Sequence, residues 1–270
     1  MTAAEPISDE SLPTDFRARR NYLPAEAFAL VTGPYEGATD LVPEDQWHEF
    51  MSLPTDVLLR TSDQFGTPLA QLNRLWSRWV ETLPLEAKKA PYMFNAVWDA
   101  ADDFNAATFT TAHGYYRQGM ANLRSALDSL TIAASFAVRR NEDGLRRWLS
   151  GESEPPKFGN ARDLITSSLG PEATEVLKRL YKDLSGYIHS QSDATNATLW
   201  GGSNGPVFER RSFRLAYGYF RDVMAMGFVL LSIGWEEYAI PDELWPLFER
   251  PEGLWSEVSL TDLKRQLASA

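Results

Sequence analysis

Apolar residues recur at three- and four-residue intervals through most of the chain, the spacing of one face of an α-helix. Val57 and Leu58, then Leu69, Leu72, Leu75, Trp76, Trp79 and Val80, form a stripe broken at Gly66 and Pro68, which predicts helices near 54–65 and 68–82. Pro43-Glu44-Asp45 and Pro54-Thr55-Asp56 supply the proline and acids that suit a first helical turn. Over 85–107, Met93, Phe94, Val97, Trp98, Ala101 and Phe104 share a face, with Asp99, Asp102 and Asp103 turned outward. The longest stripe is Tyr116, Met120, Leu123, Leu127, Leu130 and Ala134, a helix over 112–140 that ends before Asn141 to Gly144. Helices near 145–149, 160–169 and 171–188 follow. The last opens on Pro171-Glu172, and its apolar face is Val176, Leu177, Leu180, Tyr181, Leu184 and Ile188.

Thr198-Leu199-Trp200 and Pro206-Val207-Phe208 flank the turn Gly201 to Gly205, a pattern that predicts a small β-hairpin near 198–208. A helix over 212–234 is apolar almost all round toward its end, as a central or interface helix is. The fold class expected is therefore mainly α: a helical bundle with one small hairpin, and helical or loop wrappings at both ends. A tail at 1–15, short on apolar residues, reads as disordered. Residues 16–84 read as an N-terminal wrapping segment with short helices, 85–240 as the bundle, and 241–270 as a C-terminal packing arm ending in a short helix from Ser259.

Composition narrows the chemistry. The 270 residues are 44% apolar and 23% charged, values of an ordinary globular protein. With no cysteine there is no disulfide, thiolate metal site or cysteine nucleophile, and a cytoplasmic location is expected. The apolar run Met224 to Trp235 is far shorter than the roughly 20 residues that span a bilayer, so no membrane association is expected. A net charge of −11 repels phosphate backbones at long range and argues against generic nucleic-acid binding. A local basic strip can still act, since screening confines charge effects to about 8 Å at physiological ionic strength.

No phosphate-binding loop is present; Gly201 to Gly205 is followed by neither a lysine nor a helix start and reads as a hairpin turn. His48, His113 and His189 lack the spacing of a helical metal site, and Asp99, Asp102 and Asp103 read as a solvated face, so neither metal nor cofactor is expected. The most suggestive strip is Tyr181, Ser185 and His189, at i, i+4 and i+8 along the edge of an apolar face. On the long helix, Arg117, Arg124 and Asp128 form a matching edge. Two accounts fit. In one, Arg124 and Asp128 make an i, i+4 ion pair and His189 caps a helix end. In the other, His189 transfers protons beside cations that stabilise a phosphate-centred transition state.

Gly114-Tyr115-Tyr116-Arg117, Leu123-Arg124-Ser125-Ala126-Leu127-Asp128, Trp148-Leu149-Ser150-Gly151 and Tyr181-Lys182-Asp183-Leu184-Ser185-Gly186-Tyr187-Ile188-His189 stand in this order along the chain. Together, over roughly 104–235, they resemble HEPN-like bacterial helical proteins (higher eukaryotes and prokaryotes nucleotide-binding), which occur in abortive-infection and other phage-defence systems. The resemblance implies a helical bundle, a homodimer, and RNA or a nucleotide as ligand, with metal-independent endoribonuclease activity in catalytic members. It implies His189, Lys182 and Arg124 as catalytic residues and Tyr116, Arg117, Asp128, Tyr181 and Ser185 as binding residues. DNA would be inert, because the attacking group is the RNA 2′-hydroxyl. The chain departs from the family's Arg-led motif: Lys182-Asp183 precedes His189, and lysine lacks the planar fork that grips phosphate oxygens in pairs. The alternative reading is a non-enzymatic partner-binding or scaffold protein that keeps only the bundle. A third is a small-molecule enzyme with a pocket lined by Trp76, Trp98 or Trp200.

Overall fold

A helix can carry an internal proline only where the chain gives way, because the ring meets the carbonyl four residues back. The computed structural model, which describes residues 44–188, 206–249 and 253–269, shows this in its first helix. Helix α1 (Glu44–Glu81) runs through Pro54 and Pro68 and leaves helical geometry at Phe65, where φ is −134° and ψ is 30°. The two helices expected near 54–65 and 68–82 are thus arms of one kinked element, bent just before Pro68.

A 3-10 turn, Ala87–Lys89, leads to α2 (Phe94–Ala112), and α3 (Tyr116–Val138) follows after a tight turn. Next come α4 (Glu142–Leu149), α5 (Phe158–Leu169), α6 (Pro171–Ile188) and α7 (Arg210–Gly234). The arm consists of a 3-10 stretch, Asp242–Leu247, and α8 (Leu260–Ser269). The class is all-α, and no helix of the described residues is long and apolar enough to cross a membrane.

Helix α3 is central, touching α2, α7, α5 and α6, with α1 packed on α2 and α7. Trp79 marks the junction of α1, α2 and α7. It is fully buried, its indole N–H donates to the Val97 carbonyl at 3.0 Å, and its ring meets Phe104 at 5.0 Å and Phe228 at 5.2 Å. The close approach of α7 depends on Gly227, where a Cβ would sit 2.9 Å from the Trp79 ring.

Three expectations are corrected or narrowed. No strand occurs among the described residues; residues 198–205 lie outside them, and Pro206 to Phe208 is extended chain. Its partner is the turn before α3: the Val207 N–H points to the Gly114 carbonyl at 3.5 Å, and Val207 and Phe208 pack on the core. Second, the apolar end of α7 takes the central place of the two expected for it: every residue from Asp222 to Leu231 is buried within the chain. It is covered by α1, α2, α3 and the arm, where Trp255 donates to the Asp222 carbonyl at 3.2 Å. Third, Asp103 does not turn outward with Asp99 and Asp102. It is half-buried and hydrogen-bonded to Ser125, and burial pushes its carboxyl up to about 6. The tail at 1–15 and the wrapping segment to residue 43 lie outside the described residues.

Candidate functional site

Residues 117, 124 and 128 repeat at about two turns and one turn, so they share an edge of α3; 181, 185 and 188 do the same on α6. The structure brings these two edges together. Arg124 is the hub: its Nε donates to Ser185 Oγ at 2.9 Å, and its Nη2 donates to the Tyr181 hydroxyl at 2.6 Å and lies 3.2 Å from Asp128 Oδ2. The Arg124 and Asp128 side chains are 22% and 26% exposed, placing the pair at the rim of the core. Among the described residues Arg124 Nη1 has no partner, so one edge of the fork is left for a further acceptor.

Two turns earlier on α3, Arg117 Nη2 donates to the Ile188 carbonyl at 2.5 Å. The last carbonyls of a helix have no intrahelical donor, so this contact satisfies one and ties the end of α6 to α3. Tyr181 is covered on both faces. Phe158 stacks on it at 3.6 Å and 11°, and the Arg124 guanidinium lies 4.6 Å from its ring centre. A nucleobase cannot stack there without displacing one of them, so Tyr181 acts here through its hydroxyl.

Asp128 is set against itself. Its Oδ1 is buried with no hydrogen-bond partner, and burial holds the carboxyl above its ordinary range although Arg124 pulls it down. A desolvated carboxylate bound on one oxygen only is a strained partner for a cation, and a better acceptor can compete with it.

The remaining predicted residues lie apart from this hub. Tyr116 is buried in the core stripe; its hydroxyl accepts from the Glu209 N–H at 3.2 Å, and burial pushes its ionisation up to about 12. Lys182 is exposed on α6, with no hydrogen bond or ion pair among the described residues. His189 lies outside the described residues. The indoles of Trp76 and Trp98 donate to the Ala101 and Pro84 carbonyls at 2.9 and 3.3 Å. Trp200 lies outside the described residues. An open cleft of about 250 Å³ lies toward the other end of α3, lined by Ser135, Phe136, Arg139 and Asn141, and holds none of the predicted residues. No group of three or more His, Asp or Glu among the described residues could hold a metal ion.

Sequence reasoning missed the grip on the opposite side of α6. The Tyr219 hydroxyl of α7 donates to Asp183 Oδ2 at 3.0 Å, and the Tyr187 ring meets that of Tyr219 edge-on at 5.6 Å. Burial raises the ionisation of both tyrosines. The i, i+4 spacing of Asp183 and Tyr187 was the available signal. The last two turns of α6 are therefore held by arginines of α3 on one side and by a tyrosine of α7 on the other. No protein-family model, curated protein or solved structure matches the chain.

Proposed function

We propose that this chain is a HEPN-like bacterial helical protein that handles RNA or a nucleotide at the α3/α6 edge, with a place in phage defence. The observation that supports this most is the half-buried Arg124, whose fork is oriented by Ser185 and Tyr181 and keeps Nη1 for a further acceptor. A guanidinium fixed by its neighbours in a water-poor rim can stabilise charge developing on a phosphate without reorganising. In the catalytic form of the reading, the RNA 2′-hydroxyl attacks the adjacent phosphorus and the bond to the next 5′-oxygen breaks, giving a cyclic phosphate and a free 5′-hydroxyl. His189 moves the proton and Arg124 meets the phosphate charge, with Lys182 adding a cation from the exposed side. No metal takes part.

A second reading has its own observation. Asp128 already neutralises Arg124, and Ser185 and Tyr181 take two of its donors, so the hub can serve solely to lock α6 onto α3 in a non-enzymatic scaffold. Incubating the purified chain with RNA in a chelator separates the two. The first expects cleavage with cyclic-phosphate ends, lost in His189→Ala with the thermal midpoint kept within a few degrees, and no action on DNA. Intact RNA in every condition leaves the scaffold.

A further inference from the structure

Helices α1 and α7 run side by side in the same direction, as three successive contacts show: Phe65 stacks on Phe213, Gln71 bonds the Tyr217 hydroxyl, and Trp79 meets Phe228. On the solvent side of this pair, Arg210, Arg214, Tyr217 and Arg221 fall at i, i+4, i+7 and i+11, one narrow stripe of α7. From Arg210 to Arg221 the stripe is about 16 Å long at a rise of about 1.5 Å per residue. Arg74 of α1, one turn beyond Gln71, comes level with Arg221, one turn beyond Tyr217.

The arginines of this strip differ from the ion-paired arginines of the described residues. Arg78, Arg124, Arg140, Arg146, Arg162 and Arg265 each face a carboxylate. Among the described residues Arg74, Arg210, Arg214 and Arg221 face none. Two of them lie over aromatic rings instead, Arg214 at 5.8 Å from the Phe65 centre and Arg221 at 5.9 Å from that of Tyr217. Ring faces orient a guanidinium without cancelling its charge. Asp63 and the Arg78–Glu81 pair bound the α1 side of the strip. In a chain of net charge −11, four arginines gathered on one surface without a carboxylate partner among the described residues suit an anionic partner.

We infer that this strip holds the phosphodiester backbone of a single-stranded nucleic acid. One row of cations on one helix follows one backbone rather than the two strands of a duplex, and arginine planes set beside aromatic rings are the sequence-tolerant contacts single strands use. The strip is distinct from the Arg124 hub. It lies on the α1 side of α7, whereas Tyr219, half a turn round the same helix, reaches Asp183 of α6. Holding a backbone requires no chemistry, so the inference stands whether or not the hub cleaves RNA.

Fluorescence anisotropy with labelled oligo(U) and oligo(dT) about 12 nucleotides long tests it on the full chain, from about 50 to 200 mM salt. Both should bind, because the strip reads phosphates. Arg214→Gln with Arg221→Gln should weaken both at least tenfold at low salt and lower the slope of log K against log salt by about 1.4, at about 0.7 per phosphate contact. Arg74→Gln, on the neighbouring helix, should lower it by about 0.7. An unchanged midpoint and circular dichroism spectrum certify folding. No binding by the intact chain, or strip variants with the original slope, overturns the inference. Loss of binding in Arg124→Ala but not in the strip variants overturns it too, while keeping the hub as the RNA site.

Discussion

Replacing Arg124 by alanine removes the one group among the described residues that answers the Asp128 charge, 3.2 Å from Oδ2, and leaves a carboxylate whose other oxygen is already buried without a partner. Breaking a fully buried pair costs about 3–5 kcal/mol and an exposed pair about 0–1. With side chains 22% and 26% exposed, this pair lies toward the buried limit. The expected loss is about 2 kcal/mol, or about 4–8 °C in the midpoint of a chain this size. Asp128→Ala should cost less, since Arg124 keeps its bonds to Ser185 and Tyr181. The double variant should recover about 1 kcal/mol relative to the sum of the singles.

The pH dependence follows from the direction of the Asp128 shift. Burial holds its folded carboxyl above the ordinary range, with Arg124 pulling down. The folded state then binds protons more readily than the unfolded one, so stability falls as pH rises through the folded value. Without Arg124 the rise is larger, so the deficit of Arg124→Ala should be greatest near neutral pH and shrink as the carboxyl protonates in mild acid. Urea unfolding of the four proteins at about pH 7.5 and 4.5 measures both effects. Additive single-variant losses, or a deficit independent of pH, would refute the reasoning.

Gly114, at φ +80°, should not tolerate alanine: its Cβ would sit 2.4 Å from the Val207 carbonyl oxygen, and thermal melts should show a loss above about 2 kcal/mol. Gly151→Ala, at φ +76° with open space around it, should lose only about 1 kcal/mol from backbone strain. Glu209→Ala should cost about 1 kcal/mol by denaturant titration, because the side chain caps α7 by accepting from the Arg211 and Ser212 N–H groups. Asp103→Asn should raise the midpoint at about pH 7.5 and less at about pH 4.5: the wild-type carboxyl is raised to about 6, so its penalty is full above that value and fades as pH falls toward the unfolded one.

Where apolar period and end signals agree, sequence reading placed elements closely. Helix α6 runs over Pro171–Ile188 as expected, its start marked by Pro171 and Glu172. Helix α7 begins at Arg210, two residues before the expected 212, because its capping group is Glu209, a residue type with little capping preference in general. The hairpin failed for a different reason. Val207 and Phe208 have the composition of a strand, but core packing and the Gly114 carbonyl satisfy them. Apolar periodicity says that a surface is buried and not by what, so the pattern of α7 left open whether the chain's own α1 and arm covered it.

The hub was legible as two helix edges, since side-chain spacing decides which residues share an edge. Its hardest contacts to foresee use groups without a sequence signature: the Ile188 carbonyl that Arg117 takes, and the Phe158 face that covers Tyr181. These contacts also limit the chemistry. With Tyr181 sandwiched and Tyr116 buried, base stacking on either ring is closed at the hub, so the proposed reading has to rely there on the phosphate and sugar. The end of α6 is meanwhile fixed from two helices, by Arg117 on its final carbonyl and by Tyr219 on Asp183. The last described turn of α6 thus takes its position from α3 and α7. Arg117 and Tyr219 are then positioning residues of the proposed reaction: substituting either should lower turnover more than RNA affinity.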